Sequence, residues 1–246
     1  MMKDIGKYFL EYTKYQHLDE SAQSKNLKQP PLELEYDITK KLIPLPDPKS
    51  LNIGNLPLKD AINQRKSLRN YSSVPLSIEE LSYLLWCTQG VKKVVDTRAT
   101  FRTVPSAGAR HAFETYLLIN NVEGLKPGLY RYLALENKLI EIDLSPDIKD
   151  KVVAGCLGQG FAGLSAVTFI WVAVTHRMTW RYVERGYRYL FLDAGHVCQN
   201  LYLASESIGA GACAIAAYDD DVINNVLGLD GQDCFVIYIA PVGKKA

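Results

Sequence analysis

The segment Arg102-Thr-Val-Pro-Ser-Ala-Gly-Ala-Arg-His111 runs directly into the apolar stretch Glu114-Thr-Tyr-Leu-Leu-Ile119. Its small central residues predict a tight turn whose backbone a flat or phosphorylated ligand can approach closely. The flanking Arg102 and Arg110 would complement an anion. We therefore predict a ligand-binding turn that leads into a strand. The turn residues are Pro105, Ser106, Ala107 and Gly108.

Working outward from this turn, hydrophobic periodicity and turn residues predict further strands and helices in an irregular order. The predicted strands are Phe113–Ile119, Gly128–Leu133, Lys138–Ile142, Ala166–Thr175, Ala212–Ala216 and Cys234–Ala240. The predicted helices are Leu58–Gln64, Ile78–Thr88, Asp147–Leu157, Tyr189–Ile208 and Asp219–Leu227. Residues 92–104 are predicted to form a mobile basic loop, and residues 181–186 to be irregular. This order favours an α+β fold with a mainly antiparallel sheet flanked by helices.

The N-terminal part of the chain differs from the rest. Residues 1–57 contain several prolines and polar runs, which exclude long helices, although Gly6–Tyr15 has the pattern of a short one. We predict an extended arm over residues 1–57, lying along the body or across a partner subunit, and a globular domain over residues 58–246.

Bulk composition excludes several classes of protein. The 246 residues carry a formal net charge of +1, which is too small to attract nucleic acid by long-range electrostatics. No apolar run is long enough to span a membrane. The five scattered cysteines form no C-x-x-C pair, which is typical of reduced thiols and predicts a cytoplasmic protein.

Four local patterns suggest other chemistry, and each has a simpler explanation. Gly158-Gln-Gly-Phe-Ala-Gly163 matches G-x-G-x-x-G, but it precedes a predicted strand instead of following one. Asp219-Asp-Asp221 suits a helix start better than a metal site. His176 and His196 lack a ligand cluster and are expected in the core, so no metal is predicted. Ser106 lacks the G-x-S-x-G context of a serine hydrolase, which leaves that reading open but weak.

A cation-rich segment, Arg65-Lys-Ser-Leu-Arg69, lies at the end of a predicted helix. Cations at a helix C-terminus are common on surfaces. The functional alternative is a phosphate site, in which arginine and serine hydrogen-bond the anion. Gly243-Lys-Lys245 would supply a second cation, or is simply a solvated tail.

Together these segments resemble the flavin-dependent nitroreductase-like family, and within it the SagB-type dehydrogenases. Each motif is modest alone, but their order along residues 58–245 is specific. In order, the matching segments are Arg65-Lys-Ser-Leu-Arg-Asn-Tyr71, Leu81–Gly90, Arg102–Gly108, Trp180–Tyr189, Asp193–Asn200, Gly209–Asp221 and Pro241–Lys244.

The resemblance implies a homodimer with FMN at the subunit interface. Arg65, Lys66, Ser67 and Arg69 would hold the phosphate, with Gly243 and Lys244 nearby. The Pro105–Gly108 turn of the partner chain would line the flavin, and the backbone of Ile215, Ala216 and Ala217 would face its N5/O4 edge. Ala109 stands where nitroreductases usually have asparagine, which is SagB-like.

The resemblance also implies ping-pong electron transfer, with NAD(P)H as hydride donor and an unidentified small molecule as acceptor. One alternative is oxidation of azolines in a peptide, and a second is a flavin-binding module without turnover. Azoline-oxidising relatives use a Lys-Tyr pair, whereas Arg181-Tyr182 stands here. Arginine is a poor general base, so Tyr182 is the better acid/base candidate.

Overall fold

A computed structural model describes residues 3–96 and 98–246. Its eight α-helices surround a central sheet, and short 3-10 turns connect several elements. The helices are α1 (Ile5–Tyr12), α2 (Leu58–Gln64), α3 (Ile78–Gln89), α4 (Ile148–Gly155), α5 (Phe161–Leu164), α6 (Thr175–Tyr182), α7 (Gly186–Ser207) and α8 (Asp220–Leu227).

Seven strands form one antiparallel sheet in the order β1-β6-β5-β4-β7-β9-β8, and β2 and β3 form a separate hairpin. The predicted α+β fold with an antiparallel sheet is therefore confirmed. The strands are β1 (Leu42–Pro44), β2 (Val91–Val95), β3 (Ala99–Arg102), β4 (Phe113–Ile119), β5 (Gly128–Leu133), β6 (Lys138–Asp143), β7 (Val167–Val174), β8 (Ala210–Ala212) and β9 (Cys234–Lys244).

The central strands are buried because helices cover both faces of the sheet. In β7, Phe169 and Trp171 point towards α3 and α7, whereas Ile170 and Val172 point towards α4 and α8. Every residue of β4 and β7 is buried, which explains their nearly continuous apolar sequence.

Local signals located several elements correctly. Helix α2 and strand β4 have the predicted bounds. Helix α3 begins with the predicted capping box, in which the Ser77 hydroxyl accepts from the Glu80 N–H and the Glu80 carboxylate accepts from the Ser77 N–H.

Three predicted elements were wrong. Residues 92–104 contain most of the β2–β3 hairpin in place of a loop. Residues 175–182 form α6, where no helix was predicted and residues 181–186 were expected to be irregular. A strand was predicted over Ala212–Ala216, but β8 spans Ala210–Ala212. Beyond it, Ile215 makes only an isolated bridge to Ile239.

The N-terminal arm lies along the body of its own chain. Strand β1 adds to the edge of the sheet by pairing with β6, and helix α1 overlaps the predicted segment Gly6–Tyr15 but begins one residue earlier, at Ile5. Near Pro31, the arm is held by Arg177, whose Nε donates to the Pro31 carbonyl over 2.8 Å. The domain boundary after residue 57 stays a prediction. None of the helices in residues 3–96 and 98–246 is long and apolar enough to cross a membrane.

Candidate active site

The cation-rich segment after α2 is fixed against the edge of the sheet and against α7. The Leu68 N–H donates to the Ala212 carbonyl over 2.9 Å, and Ser67 bridges to the same residue. Tyr202 of α7 lies beneath it, with its hydroxyl 3.2 Å from the Ser67 hydroxyl. The Arg65 guanidinium stacks 5.2 Å from the centre of the Tyr202 ring.

The cations of this segment have no carboxylate partner in the part of the chain that the structure describes. Within the described residues, no Asp or Glu forms an ion pair with Arg65, Lys66 or Arg69. Arg69 packs instead over the Phe161 ring, and Lys66, Ser67 and Arg69 are exposed. An uncompensated cation cluster with a hydroxyl is suited to a phosphate group.

Gly243 and Lys244 lie beside this segment, as predicted, but both are engaged within the fold. Lys244 Nζ is ion-paired with Glu80 and donates to the Ile208 carbonyl over 2.8 Å, so its charge is already compensated. Gly243 is buried, and a Cβ there would lie 2.8 Å from the Tyr71 ring. Both residues therefore support the sheet edge beneath the cluster.

The segment after β8 only partly matches the prediction for it. The Ile215 N–H donates to the Ile239 carbonyl over 2.7 Å and is not free for a ligand. Ala216 and Ala217, in contrast, are exposed. The Tyr202 hydroxyl accepts from the Ala214 N–H over 2.7 Å, so one tyrosine ties this segment to Ser67.

The predicted turn is present and is held from below by α7. The Ala107 N–H donates to Asp193 Oδ1 over 3.2 Å, and the Ser106 hydroxyl accepts from the His111 N–H over 2.9 Å. Gly108 and Ala109 adopt left-handed backbone angles, with φ of 57° and 55°. Asp193 Oδ2 is buried without a hydrogen-bond partner, and burial raises the pKa of this carboxyl.

The two arginines that flank the turn were predicted to complement an anion, and the structure shows both guanidinium groups hydrogen-bonded within the fold. Arg102 is 5% exposed and donates to Gln89 and Thr100. Arg110 donates to the carbonyls of Gly108 and Arg98 and packs over the Trp180 ring. Side-chain oxygens thus accept from the Arg102 guanidinium and backbone carbonyls from that of Arg110, and neither pairing is visible in the sequence pattern.

Arg181 and Tyr182 meet the turn at the end of α6. A Cβ on Gly108 would lie 2.5 Å from the Tyr182 hydroxyl and 3.0 Å from Arg181 Cδ. The Tyr182 ring is fixed by an edge-on contact with Tyr189, at 4.8 Å between ring centres. The structure therefore brings the predicted catalytic pair and the predicted turn together.

Replacing Gly108 with alanine tests this contact. The new Cβ strains a left-handed backbone and displaces Tyr182, so we expect a loss of stability of about 1–3 kcal/mol and a displaced tyrosine. The matched control is Gly124→Ala, because Gly124 has a φ of 75° but no atom within 4 Å of its Cβ position. Equal thermal-denaturation midpoints for the two variants would contradict the contact.

The cation cluster and the turn lie on opposite sides of α7. Asp193 supports the turn and Tyr202 supports the cluster, nine positions apart in one helix. Nine residues correspond to about 14 Å along the axis and about 180° around it. The two supporting side chains therefore leave α7 on opposite faces and at different heights. Sequence patterns identified both segments but gave no sign of the supporting roles of Tyr202 and Asp193.

The other residues and motifs that the sequence suggested as functional have structural roles or form no cluster. Gly158–Gly163 connects α4 to β7 through α5 and opens no nucleotide-binding helix. Asp219 caps α8 by accepting from the Val222 N–H, as predicted. His176 and His196 were expected in the core, but both are exposed because each lies on the outer face of its helix. Among the described residues, no cluster of His, Cys, Asp and Glu suits a metal ion, and the five cysteines are free thiols.

Comparisons with known proteins point to one family. Residues 62–244 match the model of the protein family described as "Nitroreductase family". A protein of Methanocaldococcus jannaschii named as a nitroreductase, MJ1384, is 34% identical over 203 residues, which is 82% of this chain and 96% of that relative.

Two further relatives are more distant. The trifolitoxin-processing protein TfxB of Rhizobium leguminosarum bv. trifolii is 26% identical over 233 residues, covering 93% of this chain but 61% of TfxB. This chain therefore spans less than two thirds of that relative's length. A chain in the solved E. coli microcin synthetase McbBCD complex with truncated pro-MccB17 shares the fold, with a TM-score of 0.61, 20% identity, and coverage of 97% of this chain and 86% of that one.

Proposed function

Because this chain belongs to the nitroreductase family, whose members are generally oxidoreductases, we propose that it is an FMN-dependent oxidoreductase. The family predicted from the sequence is thereby confirmed, and the similarity to TfxB supports the predicted SagB-type branch. The observation that carries the cofactor proposal is the cation cluster at Arg65–Arg69, which includes the Ser67 hydroxyl and has no carboxylate partner among the described residues.

FMN, when bound, supplies reversible two-electron chemistry, with NAD(P)H as the proposed donor and a small molecule as the proposed acceptor. The chain's own residues bind and orient it. Arg65 and Ser67 hold the phosphate, with Lys66 and Arg69 alongside. Tyr182 holds a proton at its hydroxyl next to the turn, where a substrate would meet it.

The opposite placement of the two half-sites on α7 supports a homodimer in which each FMN takes its phosphate site from one subunit and its turn from the other. The exposed face of α7 supports the same arrangement. Phe191 and Leu192 are 56% and 61% exposed, and no atom lies within 4 Å of a Cβ position at Gly195. An apolar helix face of this kind is typical of a subunit interface.

The dimer is tested by Leu192→Glu. A buried carboxylate at the interface would cost several kcal/mol, so we expect light scattering to give the mass of a monomer and the flavin to be lost. Leu164→Glu is the matched control, since Leu164 is 77% exposed on helix α5, which packs on the other face of the sheet from α7. A dimeric Leu192→Glu variant would exclude α7 as the interface.

The function itself is tested by the visible absorption spectrum of the purified protein and an anaerobic titration with NADH and NADPH. We expect a yellow protein whose flavin bands bleach with one or both nucleotides. A colourless protein that does not take up added FMN would contradict the proposal. Bound flavin that neither nucleotide reduces would favour a flavin-binding module without turnover.

A second candidate function is oxidation of an azoline in a peptide to an azole. It is favoured by the contact of Tyr182 with the turn and by similarity to TfxB, which is named as a trifolitoxin-processing protein. The substrate would lose two hydrogens, and its two electrons would pass to FMN and then to oxygen. Arg181 is exposed and cannot act as a base, so Tyr182 alone would move the proton. A thiazoline peptide that keeps its mass on incubation with the flavin-loaded protein in air would exclude this activity.

A further inference from the structure

The β2–β3 hairpin forms one wall of a cavity that opens onto the Pro105–Gly108 turn. The cavity has a volume of about 430 Å³. Its lining includes Lys92 and Phe101 from the hairpin and Pro105 and Ser106 from the turn. A ligand in it would therefore contact the turn that we propose lines the flavin.

A β-bulge places Lys92 at this cavity. Val91 pairs with Arg102 and Lys93 pairs with Phe101, so two steps along β2 match one step along β3. Lys92 is the extra residue, outside the regular ladder. Bulges redirect a side chain out of its regular alternation and are frequent beside active sites.

The charge of the cavity is positive. Within the described part of the chain, no carboxylate lines it and none pairs with the Lys92 ammonium. Arg102 forms part of the floor. The negative charges that act on the Arg102 guanidinium are Glu114, which is paired with Arg177, and Glu33, and neither lines the cavity. Burial, together with Arg102 and Arg110, lowers the pKa of His111 to about 3, so this lining residue is a neutral polar group.

The cavity also has a flat apolar surface. Phe101 is 51% exposed beside Lys92, and an exposed aromatic ring next to a cation can stack on a planar ligand while the ammonium binds its charged group. The hairpin thus combines the two features that recognise an anion carried on a ring.

We propose that this cavity binds the electron acceptor and selects planar aromatic acids, with Lys92 pairing with the carboxylate and Phe101 stacking on the ring. That the ligand of this cavity is the electron acceptor rests on the proposed function. Lys92 and Phe101 act here as specificity-determining residues.

The test compares 4-nitrobenzoate with its neutral analogue 4-nitrobenzyl alcohol, by calorimetric titration of the protein as purified. Lys92→Glu should weaken binding of the acid about tenfold or more and leave the alcohol within about twofold, because the variant replaces an attraction by a repulsion. Phe101→Ala should weaken both ligands. Lys93→Glu is the matched control, since Lys93 is the next residue of β2, carries the same charge and does not line the cavity.

The two proposals fail in different ways. Equal binding of the acid to the wild type and Lys92→Glu, or equal losses in Lys92→Glu and Lys93→Glu, would overturn the acceptor site. Because the titration needs no turnover, it decides this point even in a protein without flavin. Absence of flavin and of NAD(P)H-dependent nitro reduction would instead overturn the proposed function.

Discussion

Replacing Arg65 with glutamate should weaken FMN binding about a hundredfold or more, so that the protein is purified without flavin. Each hydrogen bond to a charged group contributes about 1.5–3 kcal/mol, and the new carboxylate adds repulsion. The stacking of Arg65 on Tyr202 and the closeness of Ser67 to the same tyrosine give the guanidinium a fixed position for this role. The measurement is the dissociation constant of FMN, from quenching of flavin fluorescence.

Lys59→Glu is the control for this change in charge. Lys59 is exposed on α2, the helix that ends just before Arg65, and its substitution alters the net charge equally. FMN affinity should change by less than about threefold in this control, because exposed charges contribute little. Similar affinities of Arg65→Glu and the wild type would show that the phosphate binds elsewhere.

Replacing Glu114 with alanine should cost about 3–5 kcal/mol in the free energy of unfolding. Glu114 is 3% exposed in β4 and accepts from Arg177 over 2.6 Å and from the Leu34 N–H over 2.8 Å. Arg131 is also buried, with its Nε 3.9 Å from Glu114 Oε2. Without Glu114, two buried guanidinium groups lose their anion, and the arm loses an anchor. Urea denaturation measures the effect.

The conservative variant Glu114→Gln separates charge from hydrogen bonding. It keeps an acceptor for the Leu34 N–H but removes the negative charge, so its stability should lie between those of the wild type and Glu114→Ala. A proteolysis assay should also show the residues around Leu34 cut faster in Glu114→Ala than in Glu114→Gln, because only the alanine variant loses the acceptor for the Leu34 N–H. If Glu114→Ala unfolds at the same urea concentration as the wild type, Glu114 does not stabilise the buried guanidinium groups of Arg131 and Arg177.

The parts of the fold predicted from the sequence are those specified by neighbouring residues. The capping box at Ser77 and Glu80 fixes the start of α3 within four positions. The apolar run of β4 indicates a buried strand by itself. The cation cluster and the turn likewise lie within short segments, so both could be singled out without knowledge of the fold, and their part in binding FMN stays a prediction.

The errors arise where distant residues decide the outcome. Three of the five residues of β2 are exposed, and its strand conformation depends on pairing with β3. Helix α6 contains residues of weak helix propensity, and burial of Met178 and Trp180 stabilises it. Lys244 resembled a free terminal cation until Glu80, distant in sequence, was seen to pair with it.

The central claim is that each FMN site combines the phosphate cluster of one subunit with the turn of the other. Two variants, each defective in one half-site, test it directly: Arg65→Glu, and Pro105→Trp at an exposed position of the turn. Each alone should be purified without flavin. If the two chains are co-expressed with different tags and pair at random, half of the dimers are mixed and each mixed dimer has one intact site. Flavin content should therefore recover to about a quarter of the wild-type value. No recovery in the isolated mixed dimer would contradict a shared site.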